Sequence, residues 1–186
     1  TAANLGVALA SGALVKAARS LGLGGKWNLP VPAFSGSLPE PSGASARNEQ
    51  AADSYGQGKD LVSPLLMAEI AGAAATGKTV PPSLVLGEQA KVSATQPAKV
   101  TEYLNTLMRD VVTVPGATGR GLADLPGPVR GKTGTAEFGT DKPPKSHSWF
   151  AGTRGDIAFS VFIYGGEGSA TGAVPVAHKL LTALPS

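Results

Sequence analysis

The stretch Val129-Arg130-Gly131-Lys132-Thr133-Gly134-Thr135-Ala136-Glu137-Phe138 marks the point in this 186-residue sequence where hydrophobic periodicity changes from helical to alternating. Alternation of this kind is typical of a β-strand. Two more strand candidates follow, at residues 147–153 and 156–164, and the short turn Arg154-Gly155-Asp156 predicts that they form an antiparallel hairpin. The chain from Val129 onward is therefore predicted to contain three successive antiparallel strands.

Helices are predicted on both sides of these strands. Residues 1–21 carry Ala, Leu and Val at roughly helical spacing and predict two short packed helices. Pro64 fits the first turn of a largely apolar helix that Gly77 ends, and Pro97 begins another. Residues 174–184 predict a helix that packs back on the sheet.

Glycine (25 residues) and proline (15 residues) indicate long irregular connections between these elements. Residues 26–50 are predicted to form one long loop, because proline recurs through them. Residues 80–86 are a candidate for a short strand. The whole pattern predicts an α+β fold in which helices cover an antiparallel sheet.

Composition limits the classes of protein that fit this chain. Apolar residues make up 42% and charged residues 16%, which suits a packed globular domain. The net charge is +3 without any basic run, so we expect no nucleic-acid partner. The sequence has no Cys and no His, Asp and Glu cluster with metal-ligand spacing, so we expect no metal or cofactor.

The residues of the central stretch suit acyl-transfer chemistry at a sheet edge. On a strand, Lys132 and Gly134 point to one face and Thr133 and Thr135 to the other, so a site that uses both pairs lies along the edge. A Lys ammonium can hold a carboxylate or ease a proton from a hydroxyl, and a free edge N–H can face a developing oxyanion. These groups predict a site for an extended, carboxylate-bearing substrate that binds by strand addition.

Lys132-Thr133-Gly134-Thr135 resembles the Lys-Thr-Gly signature of the penicillin-binding proteins and serine β-lactamases. The segments 147–152 and 157–164 resemble the closing strands of class B penicillin-binding transpeptidases in order and spacing. Tyr55-Gly56-Gln57-Gly58 and the helix after Pro64 are similar to that family's glycine turn and buried helix. The resemblance covers essentially the whole chain, is sharpest at the tetrapeptide, and implies the penicillin-binding transpeptidase fold.

Two further signatures of that family, Ser-x-x-Lys and Ser-x-Asn, do not occur in these 186 residues. In the family the chain passes from Ser-x-Asn directly into an Ala-rich helix, which residues 1–7 resemble. We therefore interpret residues 1–186 as the C-terminal portion of a single transpeptidase domain, beginning just after Ser-x-Asn. The nucleophilic serine is then expected in another part of a longer protein, and this chain alone is expected to be inactive.

The resemblance implies a peptidoglycan D,D-transpeptidase, which crosslinks the cell wall by serine acyl transfer and is a β-lactam target. It implies that Lys132 aids proton movement and that the Thr135 N–H forms one arm of the oxyanion hole. The Thr133 and Thr135 hydroxyls would bind the substrate carboxylate, while Gly134 permits close approach. Glu137 shares the face of the two Thr residues and would touch the far end of the substrate, although a solvated carboxylate is about equally expected.

The same resemblance implies peptidoglycan stem peptides and β-lactams as ligands, the N-terminal part of the same protein, and cell-wall synthesis proteins as partners. It also implies a place on the extracytoplasmic face of the bacterial membrane, with an anchor outside this chain. Two other functions remain open. One is a β-lactam-sensing receptor domain of the same fold, and the other is a non-catalytic binding module. A β-lactamase is a further option, for which the sequence offers no identifiable deacylating base.

Overall fold

The structure is a computed structural model that describes residues 2–87, 91–166 and 168–184. The helices among these residues are α1 (Ala2–Val7), α2 (Ala13–Ser20), α3 (Ala46–Asp53), α4 (Pro64–Thr76), α5 (Ala98–Thr113) and α6 (Ala173–Ala183). The strands are β1 (Lys78–Thr79), β2 (Ala94–Thr95), β3 (Val129–Phe138), β4 (Lys145–Arg154) and β5 (Ile157–Ile163). None of the described helices combines the length and hydropathy needed to cross a membrane.

The main sheet has the antiparallel order β3-β4-β5, which puts β3 at an edge among the described strands. Gly134 lies opposite Trp149 and Thr135 opposite Ser148 in the β3–β4 register. The sequence predicted the same three strands in the same order, with β4 and β5 joined by a tight turn. The α+β prediction is confirmed, and so is the position of the Lys-Thr-Gly segment on an edge strand.

The largest core cluster lies between one face of the sheet and the helices α5 and α6. Phe150 of β4 and Val129 of β3 are fully buried there, against Val112 of α5 and Leu181 of α6. Helix α4 packs on the opposite face, where the Gly72 backbone approaches β5 closely. The sheet is therefore a middle layer with helices on both faces, and β3 lies at its edge.

Strand β4 fixes both ends of α6 through two buried polar side chains. The Ser148 hydroxyl accepts a hydrogen bond from the Ala173 N–H at 2.9 Å and donates one to the Gly168 carbonyl at 2.9 Å. At the other end, the Arg154 guanidinium donates to the Leu181 carbonyl at 2.6 Å and the Leu184 carbonyl at 3.2 Å. These bonds satisfy backbone groups that a helix terminus leaves unpaired.

A second cluster joins α2, the following loop and α4. Val15, Leu23, Leu38 and Leu66 are its buried members. Beside this cluster, the Trp27 indole N–H donates to the Glu69 carboxylate at 3.0 Å. Burial raises the pKa of Glu69 to about 7, and the hydrogen bond from Trp27 opposes that rise.

Two sequence predictions are wrong in this half of the chain. Residues 26–50 are not one loop, because a 3-10 turn at Gly43–Ser45 leads into α3. The last proline of this stretch is Pro41, and the residues of α3 beyond it include Ala, Arg, Glu and Gln, which are good helix formers. Residues 80–86 form no strand either, because the pairing is confined to β1 and β2. Two consecutive prolines there lack the N–H that a ladder requires.

Candidate active site

A cleft of about 650 Å³ opens along the free edge of β3 and the adjoining sheet face, beside the turn that follows α3. The strand contributes the segment from Lys132 to Ala136, so all four residues of the Lys-Thr-Gly-Thr segment reach the cleft. The remaining lining residues are Tyr55, Gly56, Asp60, Leu61, Val62, Met67, His147, Trp149, Ala151 and Phe162. The cleft therefore combines one polar edge with a largely apolar wall.

Lys132 and Thr133 are held by neighbouring groups. Lys132 is exposed, and its Nζ donates to the Thr133 carbonyl at 2.5 Å. The Thr133 side chain is buried, and its hydroxyl lies 2.7 Å from the Thr118 hydroxyl. The lysine charge is thus available at the strand edge. The Thr133 hydroxyl already has one partner, and Thr118 brings a second hydroxyl to the same place.

Gly134, Thr135 and Glu137 occupy the next part of the edge. A methyl group on Gly134 would lie 3.3 Å from the Trp149 Cβ, a tight contact that would require Trp149 to shift by a few tenths of an ångström. Thr135 is exposed and lines the cleft. Glu137 is also exposed, but it is not among the residues that line the cleft.

Gln57 bridges two backbone groups on the outer edge of β3. Its Nε2 donates to the Thr135 carbonyl at 2.7 Å, and its Oε1 accepts from the Glu137 N–H at 3.2 Å. The side chain reaches β3 from a turn about 80 residues earlier in the sequence. It therefore ties the end of α3 to the strand that carries the predicted site.

The turn that carries Gln57 is a Schellman motif at the end of α3. Gly56 has a positive φ of 77°, the Gln57 N–H donates to the Ala52 carbonyl at 3.0 Å, and the Gly56 N–H donates to the Asp53 carbonyl at 3.2 Å. This pair of bonds around a left-handed glycine is the defining pattern of the motif. The backbone of Gln57 is therefore fixed, and its side chain is aimed at β3.

Asp60 brings an unusual carboxyl group to the cleft wall. Burial raises its pKa from 3.8 to about 7, and the charge of Asp53 and a hydrogen bond to Asp53 act in the same direction. The Asp60 Oδ1 atom is buried without a hydrogen-bond partner among the described residues. No group of His, Asp or Glu side chains in the described ranges could hold a metal ion.

We expect the substitution Asp60→Asn to stabilise the folded protein above pH 7. Between about pH 4 and pH 7 the unfolded chain ionises Asp60 while the folded state keeps its proton, so wild-type stability falls as pH rises. An amide does not titrate, and the gain at pH 8 should be on the order of 1 kcal/mol after allowance for partial exposure. Urea unfolding at pH 5 and pH 8 measures the difference.

The control for this prediction is Asp156→Asn, in the exposed turn between β4 and β5. It should change stability by the same small amount at both pH values. Glu69 contributes a slope of the same sign in both proteins, so only the difference between variant and wild type is informative. A gain for Asp60→Asn that is equal at pH 5 and pH 8 would contradict the prediction.

Sequence reasoning did not identify Gln57, Thr118, Asp60 or Trp149 as site residues. Thr118 lies in a glycine-rich segment that looks like a simple connection, and Trp149 had the pattern of a core aromatic. Gln57 gave a partial signal, because it stands directly after the glycine that ends α3. The sequence does not show the tertiary contacts that bring these side chains to the site.

Comparison with known proteins gives the family that this chain matches. A protein-family model, described as the penicillin binding protein transpeptidase domain, matches residues 2–182. No match is found among the curated proteins.

Solved structures with the same fold include three penicillin-binding proteins. Penicillin-binding protein A from M. tuberculosis, in a ceftriaxone acyl-enzyme complex, matches with a TM-score of 0.82 and 23% identity over 99% of this chain and 45% of that one. PBP2 from Pseudomonas aeruginosa in complex with WCK 5153 matches with a TM-score of 0.80 and 20% identity, over 98% of this chain and 44% of that one. PBP2 from Helicobacter pylori in complex with MreC matches with a TM-score of 0.79 and 21% identity, over 97% of this chain and 36% of that one. This chain thus spans less than half the length of each of these three proteins.

Proposed function

This chain belongs to the penicillin-binding protein transpeptidase family, and from that premise we propose that it forms the substrate-holding part of a peptidoglycan D,D-transpeptidase. The observation that carries the proposal is the position of Lys132 and the Thr135 backbone on one open strand edge that lines a cleft. In this proposal residues 1–186 are part of a single transpeptidase domain. The nucleophilic serine and the Ser-x-Asn residues belong to other parts of the protein, since neither motif occurs here.

The proposed reaction is serine acyl transfer in two steps. The serine oxygen attacks the carbonyl of the D-Ala-D-Ala peptide bond of a stem peptide, and the terminal D-Ala leaves as the amine. An amine of a second stem peptide then attacks the acyl-enzyme ester, which forms the crosslink and releases the serine. A β-lactam acylates the same serine, because its ring carbonyl takes the place of the peptide carbonyl.

Each β3 residue has a proposed part in this reaction. The Lys132 ammonium stabilises the substrate carboxylate and eases proton movement at a neighbouring hydroxyl. The Thr135 N–H donates to the oxyanion that forms when the serine attacks. Its hydroxyl and that of Thr133 bind the carboxylate, and the Thr133 hydroxyl would exchange or share its present partner Thr118. Gly134 keeps the strand open to the ligand.

Glu137 has a less central proposed part. We place it at the far end of the substrate, because it lies two residues beyond Thr135 on the same strand and its side chain is exposed. Its carboxylate lies outside the lining of the cleft, so its contact with ligand would be at the rim. No cofactor enters this mechanism.

The proposed setting is the extracytoplasmic face of the bacterial membrane, with an anchor in a part of the protein outside these residues. Cell-wall synthesis proteins are the proposed partners. Support comes from solved relatives of the same fold, one in complex with MreC and another from a peptidoglycan synthase complex, at 21% and 25% identity.

Fluorescent penicillin labelling tests this proposal. The full-length protein should form a covalent adduct, and residues 1–186 alone should form none. With a D-Ala-D-Ala stem peptide and an amine acceptor, the full-length protein should release D-Ala and form the crosslinked product. Labelling without any transfer to the acceptor would instead favour a β-lactam sensor, and no labelling of the full-length protein would favour a non-catalytic binding module.

A further inference from the structure

The Gln57 side chain occupies the outer edge of β3 as a neighbouring strand would. In a parallel pair of strands, one residue donates to the carbonyl of residue i and accepts from the N–H of residue i+2. The Gln57 carboxamide makes this same pair of bonds, to the Thr135 carbonyl and the Glu137 N–H, at 2.7 and 3.2 Å. It thereby covers an edge that would otherwise be open to strand addition.

Strand alternation fixes which groups of β3 face the cleft. In an antiparallel ladder, the N–H and the carbonyl of one residue point to the same side, and those of the next residue point to the other. Since the Thr135 carbonyl and the Glu137 N–H point to Gln57, away from β4, the Thr135 N–H also points away from β4. Thr135 therefore presents a donor and an acceptor together on the open edge.

An acyl donor that adds antiparallel to β3 needs both of these groups. If its reacting carbonyl accepts from the Thr135 N–H, the antiparallel pattern places the N–H of the same donor residue on the Thr135 carbonyl. That carbonyl is the one to which Gln57 Nε2 already donates. Gln57 and the donor's amide N–H thus approach the same carbonyl from the open side of β3.

We propose that Gln57 is a specificity-determining residue, which an acyl donor with an amide N–H next to its reacting carbonyl must displace from the Thr135 carbonyl. This inference rests on the proposed transpeptidase function and extends it to a residue with no assigned part in it. Donors with an amide N–H next to the reacting carbonyl have to break the Gln57 bond in order to form their own, whereas donors without that amide leave Gln57 in place. Gln57 also blocks the Glu137 N–H, so that strand addition ends at Thr135 while Gln57 is in place.

The anchoring of Gln57 makes this competition specific to its side chain. The Schellman motif holds the Gln57 backbone through its N–H bond to Ala52, so displacement is a rotation of the side chain and not a movement of the turn. The side chain is half-buried, and both of its bonds to β3 lie at the solvent-exposed edge. Rotation can therefore exchange the bonds to β3 for bonds to water or to the ligand.

Two β-lactams in the full-length protein separate the competing bond from all other effects. Benzylpenicillin carries an amide N–H on the carbon next to its reacting carbonyl, and penicillanic acid lacks that amide. The quantity to measure is the ratio of their second-order acylation rate constants. Gln57→Ala should raise this ratio about three- to tenfold, the range expected for one hydrogen bond of ordinary net strength.

Gln57→Glu provides a second variant with a sharper chemical change. A carboxylate still accepts from the Glu137 N–H, but it cannot donate to the Thr135 carbonyl. The ratio should rise here as well, because any effect of the added charge acts on both compounds. Gln50→Ala is the matched control, since Gln50 lies in α3 and donates to the Gly6 carbonyl at 2.8 Å, away from β3. It should leave the ratio unchanged.

The outcomes distinguish this inference from the proposed function. If benzylpenicillin acylates the wild-type protein but neither Gln57 variant raises the ratio, Gln57 does not compete with the donor, and the transpeptidase proposal stands. If both compounds slow equally in both variants, Gln57 only supports the strand, which also overturns the inference. If the wild-type protein is not acylated at all, the proposed function fails and this inference fails with it.

Discussion

Replacement of Lys132 by alanine in the full-length protein should slow acylation by benzylpenicillin about 10²- to 10⁴-fold, the usual range for loss of a group that assists proton transfer. The Lys132 ammonium lies at the open edge of β3 and lines the cleft. Its loss removes the positive charge that would hold the ligand carboxylate and assist the proton. The second-order rate constant from stopped-flow or gel-based labelling measures the effect.

The fold should survive this substitution, because Lys132 is exposed and its side chain makes one hydrogen bond, to the Thr133 carbonyl at the strand edge. An unchanged melting temperature would verify this. Lys145→Ala is the matched control, because Lys145 lies on β4 with a 66% exposed side chain paired to Asp141. It should leave acylation unchanged. Acylation of Lys132→Ala within twofold of wild type would remove Lys132 from the proposed mechanism.

Replacement of Phe150 by alanine should have the largest effect on stability, about 3–5 kcal/mol in the free energy of unfolding. The Phe150 ring is fully buried and stacks with Phe159 at a centroid distance of 5.8 Å. It also fills the space above Gly131, where an added methyl group would collide with the ring. The cavity left by alanine therefore lies directly beneath β3. Urea unfolding monitored by circular dichroism measures the loss.

Phe162→Ala is the control for this prediction. Phe162 lies on β5 with its side chain on the other face of the sheet, and it is 37% exposed. Its loss should cost less than half as much as that of Phe150, since fewer contacts disappear and water can enter the site. Equal losses for the two variants would contradict the assignment of the main core to the α5 and α6 side.

Local sequence signals were sufficient for the elements that make the site possible. The ends of β3 agree with the prediction because alternation begins at Val129 and stops at Phe138. The helix α4 also agrees, since Ser63 caps it, Pro64 starts it and Gly77 ends it in a left-handed conformation. In each case the deciding interaction is within a few residues, which is the range that a sequence pattern describes.

Contacts between distant segments could not be predicted in the same way. The bond from Gln57 to Thr135 joins residues 78 positions apart, and its existence depends on how α3 packs relative to the sheet. The high pKa of Asp60 depends on burial and on Asp53, neither of which the sequence reveals. The Thr118–Thr133 pair depends on the path of a loop. Tertiary structure creates these features from residues that are ordinary in isolation.

The central claim is that this chain holds the carboxylate and oxyanion of an acyl donor while the attacking serine comes from another part of the protein. The most direct measurement is peptide mapping by mass spectrometry of the full-length protein after reaction with benzylpenicillin. The account predicts a single adduct, on the serine of a Ser-x-x-Lys motif outside residues 1–186. An adduct on any serine within residues 1–186, or the absence of an adduct, would contradict it.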